Sequence, residues 1–291
     1  MEYLPEYFQG ILLENLKDLD LAKLSSESGY YNDIQFSNSK LNEMKDLLNL
    51  EKISDMEEYN EIIKLSDVIL ADKLHLDNNQ IDSFNIFSGK IFANLKTLTL
   101  NNNQISSFKE LSREIFPKLI RLDLSDNIIT SFEGLSEKTF PKLKLLLLNN
   151  NQITSFEGLS EGIFFNLEYL DLGNNEISSF KGLFPDIFPN LKGLILYNNQ
   201  IISFEGLSGK IFPKLEKLYL LSNKIESFKG LSGEIFDILE ILYLDNNQIS
   251  SLEGLSEETF PNILEIHIYG IIHEEDINKI KAMYPGKIVK L

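Results

Sequence analysis

Side chains capable of acid–base or metal chemistry are scarce in this chain. Its 291 residues include three histidines, no cysteine and no tryptophan. His75 and His267 occupy the same position of an internal repeat, but 192 residues apart, so they cannot act together. His273 opens the stretch His273-Glu274-Glu275-Asp276. That stretch lacks the H-E-x-x-H spacing that sets two imidazoles on one helical face, and it better suits acidic residues at a helix start. Without cysteine there can be no thiolate site and no disulfide. No glycine-rich phosphate loop is present. Carboxylate pairs are unavoidable with 44 Asp and Glu and carry no signal. The expectation is a chain that is not an enzyme, with no cofactor and no metal.

The chemistry that remains is contact chemistry, and the elements that position it repeat. The skeleton L-x-L-x-x-N-x-I recurs at Leu74, Leu98, Leu122, Leu146, Leu170, Leu194, Leu218 and Leu242, each 24 residues after the last. A ninth copy at Ile266-His267-Ile268 has Ile271 in place of the Asn. L-x-L alternation predicts a short strand with both leucines inward, and stacked repeats would pair those strands into a parallel sheet. The Asn falls where the chain leaves the strand. Its amide donates and accepts, so Asn79, Asn103, Asn127, Asn151, Asn175, Asn199, Asn223 and Asn247 are expected to form a buried ladder satisfying turn amides and carbonyls. Two phenylalanine columns, Phe84 to Phe228 and Phe92 to Phe260, read as stacked core. The segment G-L-S-x-x-I-F-P reads as a short helix or 3₁₀ turn on the outer side, limited by its proline.

This unit resembles the leucine-rich repeat, F-x-x-L-x-x-L-x-L-x-x-N-x-I, over about two-thirds of the chain. The resemblance implies an α/β architecture: a right-handed solenoid, or horseshoe, with a parallel sheet on its concave side. The wording I-x-S-F-E-G-L is also similar to intracellular repeat proteins that regulate phosphatases. The expected organisation is a helical segment over 1–70, nine repeats over 71–271 and a C-terminal cap over 272–291. In the cap, His273 to Met283 reads as a helix, and Tyr284 to Leu291 as a truncated tenth repeat with one residue added, closing the array with an edge strand.

Residues just before, between and just after each leucine pair should point out of the concave face. In the early repeats they are polar: Lys73, His75, Asp77, Thr97, Thr99, Asn101, Arg121, Asp123 and Ser125. From the fourth repeat they include Leu145, Leu147, Tyr169, Ile195, Tyr197, Tyr219, Leu221, Ile241, Tyr243 and Tyr269, with Asp171 and Asp245 among them. The fold does not ask for apolar residues there, so these ten are the expected protein-binding surface, centred on Tyr197, Tyr219, Leu221 and Tyr243.

The first 70 residues are outside the repeat and hold 15 acidic residues against 6 lysines. Their apolar spacing predicts helices. Leu4, Pro5, Phe8, Leu12, Leu13, Leu16, Leu21 and Leu24 also follow L-P-x-x-L-x-x-x-I-L-x-x-L-x-x-x-D-L-x-x-L without a gap, which resembles the start of an F-box. That resemblance implies docking onto the adaptor subunit of a cullin-type ubiquitin ligase. The Ser25-Ser26-Glu27-Ser28-Gly29 that follows departs from the family's third helix, and a plain helical cap over the first repeat accounts for the segment without it.

A net charge of −17 argues against nucleic acid and against anionic membranes as partners. An N-terminus without a basic and apolar leader, no N-x-S/T acceptor and no cysteine point to an intracellular, cytoplasmic setting, which would be host cytoplasm for a pathogen's protein. The resulting expectation is a non-catalytic scaffold holding a protein partner on its concave face. A ubiquitin-ligase substrate receptor and a structural or assembly component are the alternatives.

Overall fold

The computed structural model describes residues 71–88, 91–111, 115–269 and 273–290. The helical and F-box-like readings of residues 1–70, and the Ile271 that replaces the ninth Asn, lie outside these. Each L-x-L makes a three-residue strand: β1 Lys73–His75, β2 Thr97–Thr99, β3 Arg121–Asp123, β4 Leu145–Leu147, β5 Tyr169–Asp171, β6 Gly193–Ile195, β7 Lys217–Tyr219, β8 Ile241–Tyr243 and β9 Glu265–His267. A tenth, β10, spans Ile288–Lys290. All ten form one sheet in sequential order, every pair parallel, with the first nine in a 24-residue register such as Leu146↔Leu170. Pairing of consecutive parallel strands requires the chain to travel out and back once per repeat, which makes a solenoid of stacked coils.

The core lies inside the coils. From the first coil to the ninth, the first inward residue (Leu74 to Ile266) and the second (Leu76 to Ile268) are buried throughout. Ile81 to Ile249 and both phenylalanine columns join them, apart from the position of Leu252, which is only partly buried against the core. The rings stack: Phe164–Phe188 at 5.7 Å and Phe188–Phe212 at 5.6 Å, with planes within 10°. Both phenylalanine series are therefore core, as their spacing predicts.

The asparagine ladder is built as expected. Asn151 Nδ2 donates to Leu124 O of the preceding coil at 2.9 Å and to Leu148 O of its own at 3.1 Å, and its Oδ1 accepts from Ile129 N at 2.9 Å. The same bonds recur from Asn103 to Asn247, all buried, while Asn79 in the first described coil is half-buried. One residue earlier runs a second ladder that the repeat consensus does not announce. Asn78, Asn102, Asp126, Asn150, Asn174, Asn198, Ser222 and Asn246 all hold φ between 50 and 62°. Asn tolerates this left-handed turn better than most residues. The exposed amides then bond along the array, Asn174 Nδ2 to Asn150 Oδ1 and Asn198 Nδ2 to Asn174 Oδ1, both at 2.7 Å.

One expectation is narrowed and one needs correction. The G-L-S-x-x-I-F-P segments are runs of turns, and among the described residues the one 3₁₀ helix is Phe84–Phe87, ahead of that segment. The glycine is the reason: Gly230 has φ 100°, and a Cβ there would stand 2.4 Å from Glu205 N of the previous coil. Positive φ breaks helical geometry, while the missing side chain lets adjacent coils touch. What survives is isolated i→i+3 bonds, such as Thr139 N to Ser136 O at 3.0 Å.

The correction is at the end. Helix α1, Glu274–Met283, has Ile277 and Ile280 buried and its acidic residues in the first turn. Tyr284 fills the site after Phe260, its hydroxyl donating to Ser256 O at 2.6 Å. β10 then pairs Val289 with Ile266, 23 residues on, so the closing coil is one residue short of the period rather than one residue long. Val289 packs against the core while Ile288 is exposed.

Candidate binding face

Residues flanking the inward leucines form three columns on the open face of the sheet, and all ten predicted contact residues stand in them, none in the core. Tyr169 and Tyr269 are exposed, at 41% and 64%; Leu145, Leu147, Ile195, Tyr197, Tyr219, Leu221, Ile241 and Tyr243 are half-buried. Half-burial has a simple origin. Strands in register bring like columns side by side, so each outward side chain leans on the one a coil away.

Towards the C-terminal end that leaning becomes an aromatic stack. Tyr219 and Tyr243 lie 5.1 Å apart with planes 19° off parallel, and Tyr243 and His267 only 3.9 Å apart at 24°. His267 was absent from the residues predicted for this surface, because an apolarity criterion passes over an imidazole. Its column position was the available signal. His267 Nε2 meets Glu265 Oε2 at 3.0 Å. With ring faces against one another, the stack offers a partner its edges and hydroxyls.

In coils five and six the tyrosines behave differently. A Cβ on Gly193 would lie 2.7 Å from Tyr169 Cδ1, and one on Gly173 2.4 Å from Tyr197 Cε1. Each ring fills the space that the glycine of the neighbouring coil leaves empty. Tyr197 is thereby drawn back towards coil five, with its hydroxyl 3.4 Å from Asn174 Nδ2, away from the Tyr219–Tyr243 stack. The predicted centre is thus divided in two.

Between these tyrosines stands Asp171, paired in register with Leu147 on one side and Ile195 on the other. Its Oδ1 accepts from Gly173 N at 2.9 Å. Burial pushes its carboxyl above the usual carboxylate range; the Gly173 N–H opposes this and Asp123 adds to it. A carboxyl with a raised folded pKa favours the folded chain below its unfolded value of ~4, an advantage lost as pH rises through the folded value. Asp171→Asn removes that titration. The variant is expected to melt higher than the parent at pH 7, by a margin that shrinks towards pH ~4. Thermal melts at both pH values check this, and a margin that stays constant or grows in acid contradicts it.

At the N-terminal end the face carries a polar chain. His75 Nδ1 lies 3.0 Å from Thr99 Oγ1, which donates to Asp77 Oδ2 at 2.8 Å. The carboxylate can only accept, so the threonine proton is committed to it and the imidazole must be the donor. A hydroxyl nucleophile needs the imidazole to accept its proton, which is the reverse order. His75 and His267 lie in the first and ninth coils, as their spacing requires. His273 stands at the start of α1 without capping it through its side chain, and Asp276 pairs with Lys279 at 3.0 Å.

Models of the leucine-rich repeat match the chain at residues 117–161, 189–233 and 166–191. The coils of β3 to β7 are leucine-rich repeats. Two solved structures share their fold: the TLR13–ssRNA13 complex, 24% identical with a TM-score of 0.58, and the APL1 leucine-rich repeat domain, 20% identical with a TM-score of 0.51. The matches cover 79% and 72% of this chain but 34% and 52% of those chains, so it spans about a third and a half of their lengths. No curated protein matches the chain. Within the leucine-rich repeats, the Asn series and the inward columns are what such a repeat requires. The tyrosines, glycines and Asp171 of the open face stand at positions where the repeat pattern sets no residue type.

Proposed function

We propose that the chain is a non-catalytic scaffold whose leucine-rich repeats hold a protein partner on the open face of the sheet. The observation that carries this reading is the concentration of Tyr219, Leu221, Tyr243 and His267 on a face whose columns are polar in the first three coils. Outward positions make no demand for apolar side chains, so that change is a feature of the surface and not of the core. An RNA strand, which TLR13 is described as holding, needs cations facing it. Here the face sets Asp77, Asp123, Asp171, Asp245 and Glu265 against Lys73, Arg121 and Lys217, and Arg121 is already paired with Asp123 at 3.3 Å. A protein surface fits that balance better.

The test is affinity capture from the native cell with the full chain and with Tyr219→Ala/Tyr243→Ala. Proteins retained by the parent should be lost from the double variant, while its circular dichroism stays the same, because both rings stand outside the core. Retention of the same proteins at the same yield would remove the basis of the proposal.

The F-box-like spacing of Leu4 to Leu24 favours a second, more specific reading, in which the scaffold presents its partner to a ubiquitin ligase. Under that reading the chain pulls down the ligase adaptor, and Leu12→Asp with Leu16→Asp abolishes the pulldown. Failure of the parent to bind, or binding that survives the substitutions, rules it out.

A further inference from the structure

One carboxylate on the open face has an environment that neither the repeat nor the chain's general acidity explains. Position 171 is threonine in coil two and leucine in coil four, Thr99 and Leu147, so the strand does not require an acid there. Yet Asp171 lies between Leu147 and Ile195 along the array and between Tyr169 and Gly173 along its own coil, with the Tyr197 ring held over Gly173 and the Tyr169 ring over Gly193 of the next coil. Arg121, Lys144 and Lys192 on nearby coils are engaged elsewhere: Arg121 with Asp123 at 3.3 Å, the two lysines with Glu168 at 2.7 and 2.9 Å. Among the described residues no ion pair includes Asp171. A half-buried charge without a counter-ion is a cost that the free chain carries.

We propose that Asp171 is the specificity point of this face, receiving an arginine of the bound protein whose neighbouring apolar side chains lie along Leu147, Ile195 and the Tyr219–Tyr243 stack. The inference rests on the protein-binding reading above and names the chemistry of the partner. Arginine is favoured over lysine by the two tyrosines. A planar guanidinium grips a carboxylate while lying against an aromatic ring, which a hydrated ammonium does less well. The aliphatic neighbours exclude water around the pair and strengthen it. A partner with a neutral side chain at this point would leave the carboxylate desolvated and unpaired, so the arrangement selects against it.

A random-heptapeptide phage library panned on the full chain tests this, with parallel selections on Asp171→Asn, on Tyr219→Ala/Tyr243→Ala and on Glu253→Gln. The last removes one carboxylate from the side of the coil away from the face. Peptides selected by the parent and by Glu253→Gln should be rich in arginine next to Leu, Ile or Phe. On Asp171→Asn the arginine enrichment should vanish while the apolar enrichment persists. A peptide synthesised from the parent pool should bind Asp171→Asn about tenfold or more weakly, and its citrulline counterpart should bind both equally. Arginine enrichment that is unchanged on Asp171→Asn, or equally lost on Glu253→Gln, overturns the assignment of Asp171 but leaves the face as a protein site. No enrichment on the parent, or a pool indifferent to the tyrosine substitutions, overturns the face itself. The Asp171→Asn melting midpoint, expected above the parent's, separates loss of binding from loss of fold.

Discussion

Phe188→Ala is expected to lower the unfolding free energy by about 3–5 kcal/mol. The ring is fully buried and stacked between Phe164 and Phe212, at 5.7 and 5.6 Å. Both neighbours are held by their own coils, so neither can move in to fill the space, and the cavity term adds to the lost transfer energy. Position also matters. In a stacked array each coil is stabilised chiefly by the two beside it, so a hole in the fifth weakens the contacts through which the two ends support each other. Urea unfolding followed by circular dichroism measures the effect. A loss below about 1 kcal/mol would mean that the aromatic column contributes bulk rather than close packing.

Asn151→Ala should cost nearly as much, about 3 kcal/mol, though it removes little apolar surface. Its amide serves three buried backbone groups, Leu124 O, Leu148 O and Ile129 N. Two of these belong to the preceding coil, so the side chain bridges coils as well as closing its own turn. Each orphaned group in a buried site loses about 1 kcal/mol or more, since water cannot replace the amide there. Asn151→Asp discriminates between shape and hydrogen bonding. It keeps the volume and the acceptor but has no donors for the two carbonyls, and it is expected to be at least as damaging as alanine. An unchanged urea midpoint in either variant would contradict the ladder's energetic role. By contrast, Asn150→Ala removes a solvent-facing rung, whose Nδ2 reaches Asp126 Oδ1 at 2.8 Å, and relieves no buried group.

The contrast between these two asparagines shows how far the repeat pattern reaches. Asn151 was legible because its period, its place after the strand and its bonding capacity all point to one task. Asn150 was not, since its task follows from a backbone angle, φ 57°, that no side-chain pattern records. The outer segments left helix and turn open for the same reason: G-L-S-x-x-I-F-P has the composition of a short helix, but Gly230 and its equivalents are used for positive φ and coil contact, which selects the turn. At the end of the chain the residue types of Tyr284 to Lys290 admitted more than one alignment. The choice of Val289 opposite Ile266 depends on how α1 hands the chain back to the sheet.

The sequence by itself determined which residues are inside. A strict 24-residue period forces equivalent positions to stack, and stacking of apolar side chains leaves one arrangement that buries all of them. It therefore determined the strands, their parallel register, the phenylalanine columns, the buried asparagines and the set of outward positions. What the outward side chains do was decided only in three dimensions. An outward rotamer is chosen by its neighbours a coil away and not by burial, so equal residues take unequal roles. Tyr219 and Tyr243 join His267 in a stack, whereas Tyr169 and Tyr197 turn over Gly193 and Gly173. A row of tyrosines in the sequence thus becomes two different surfaces, because two glycines 20 residues apart leave room for the rings beside them.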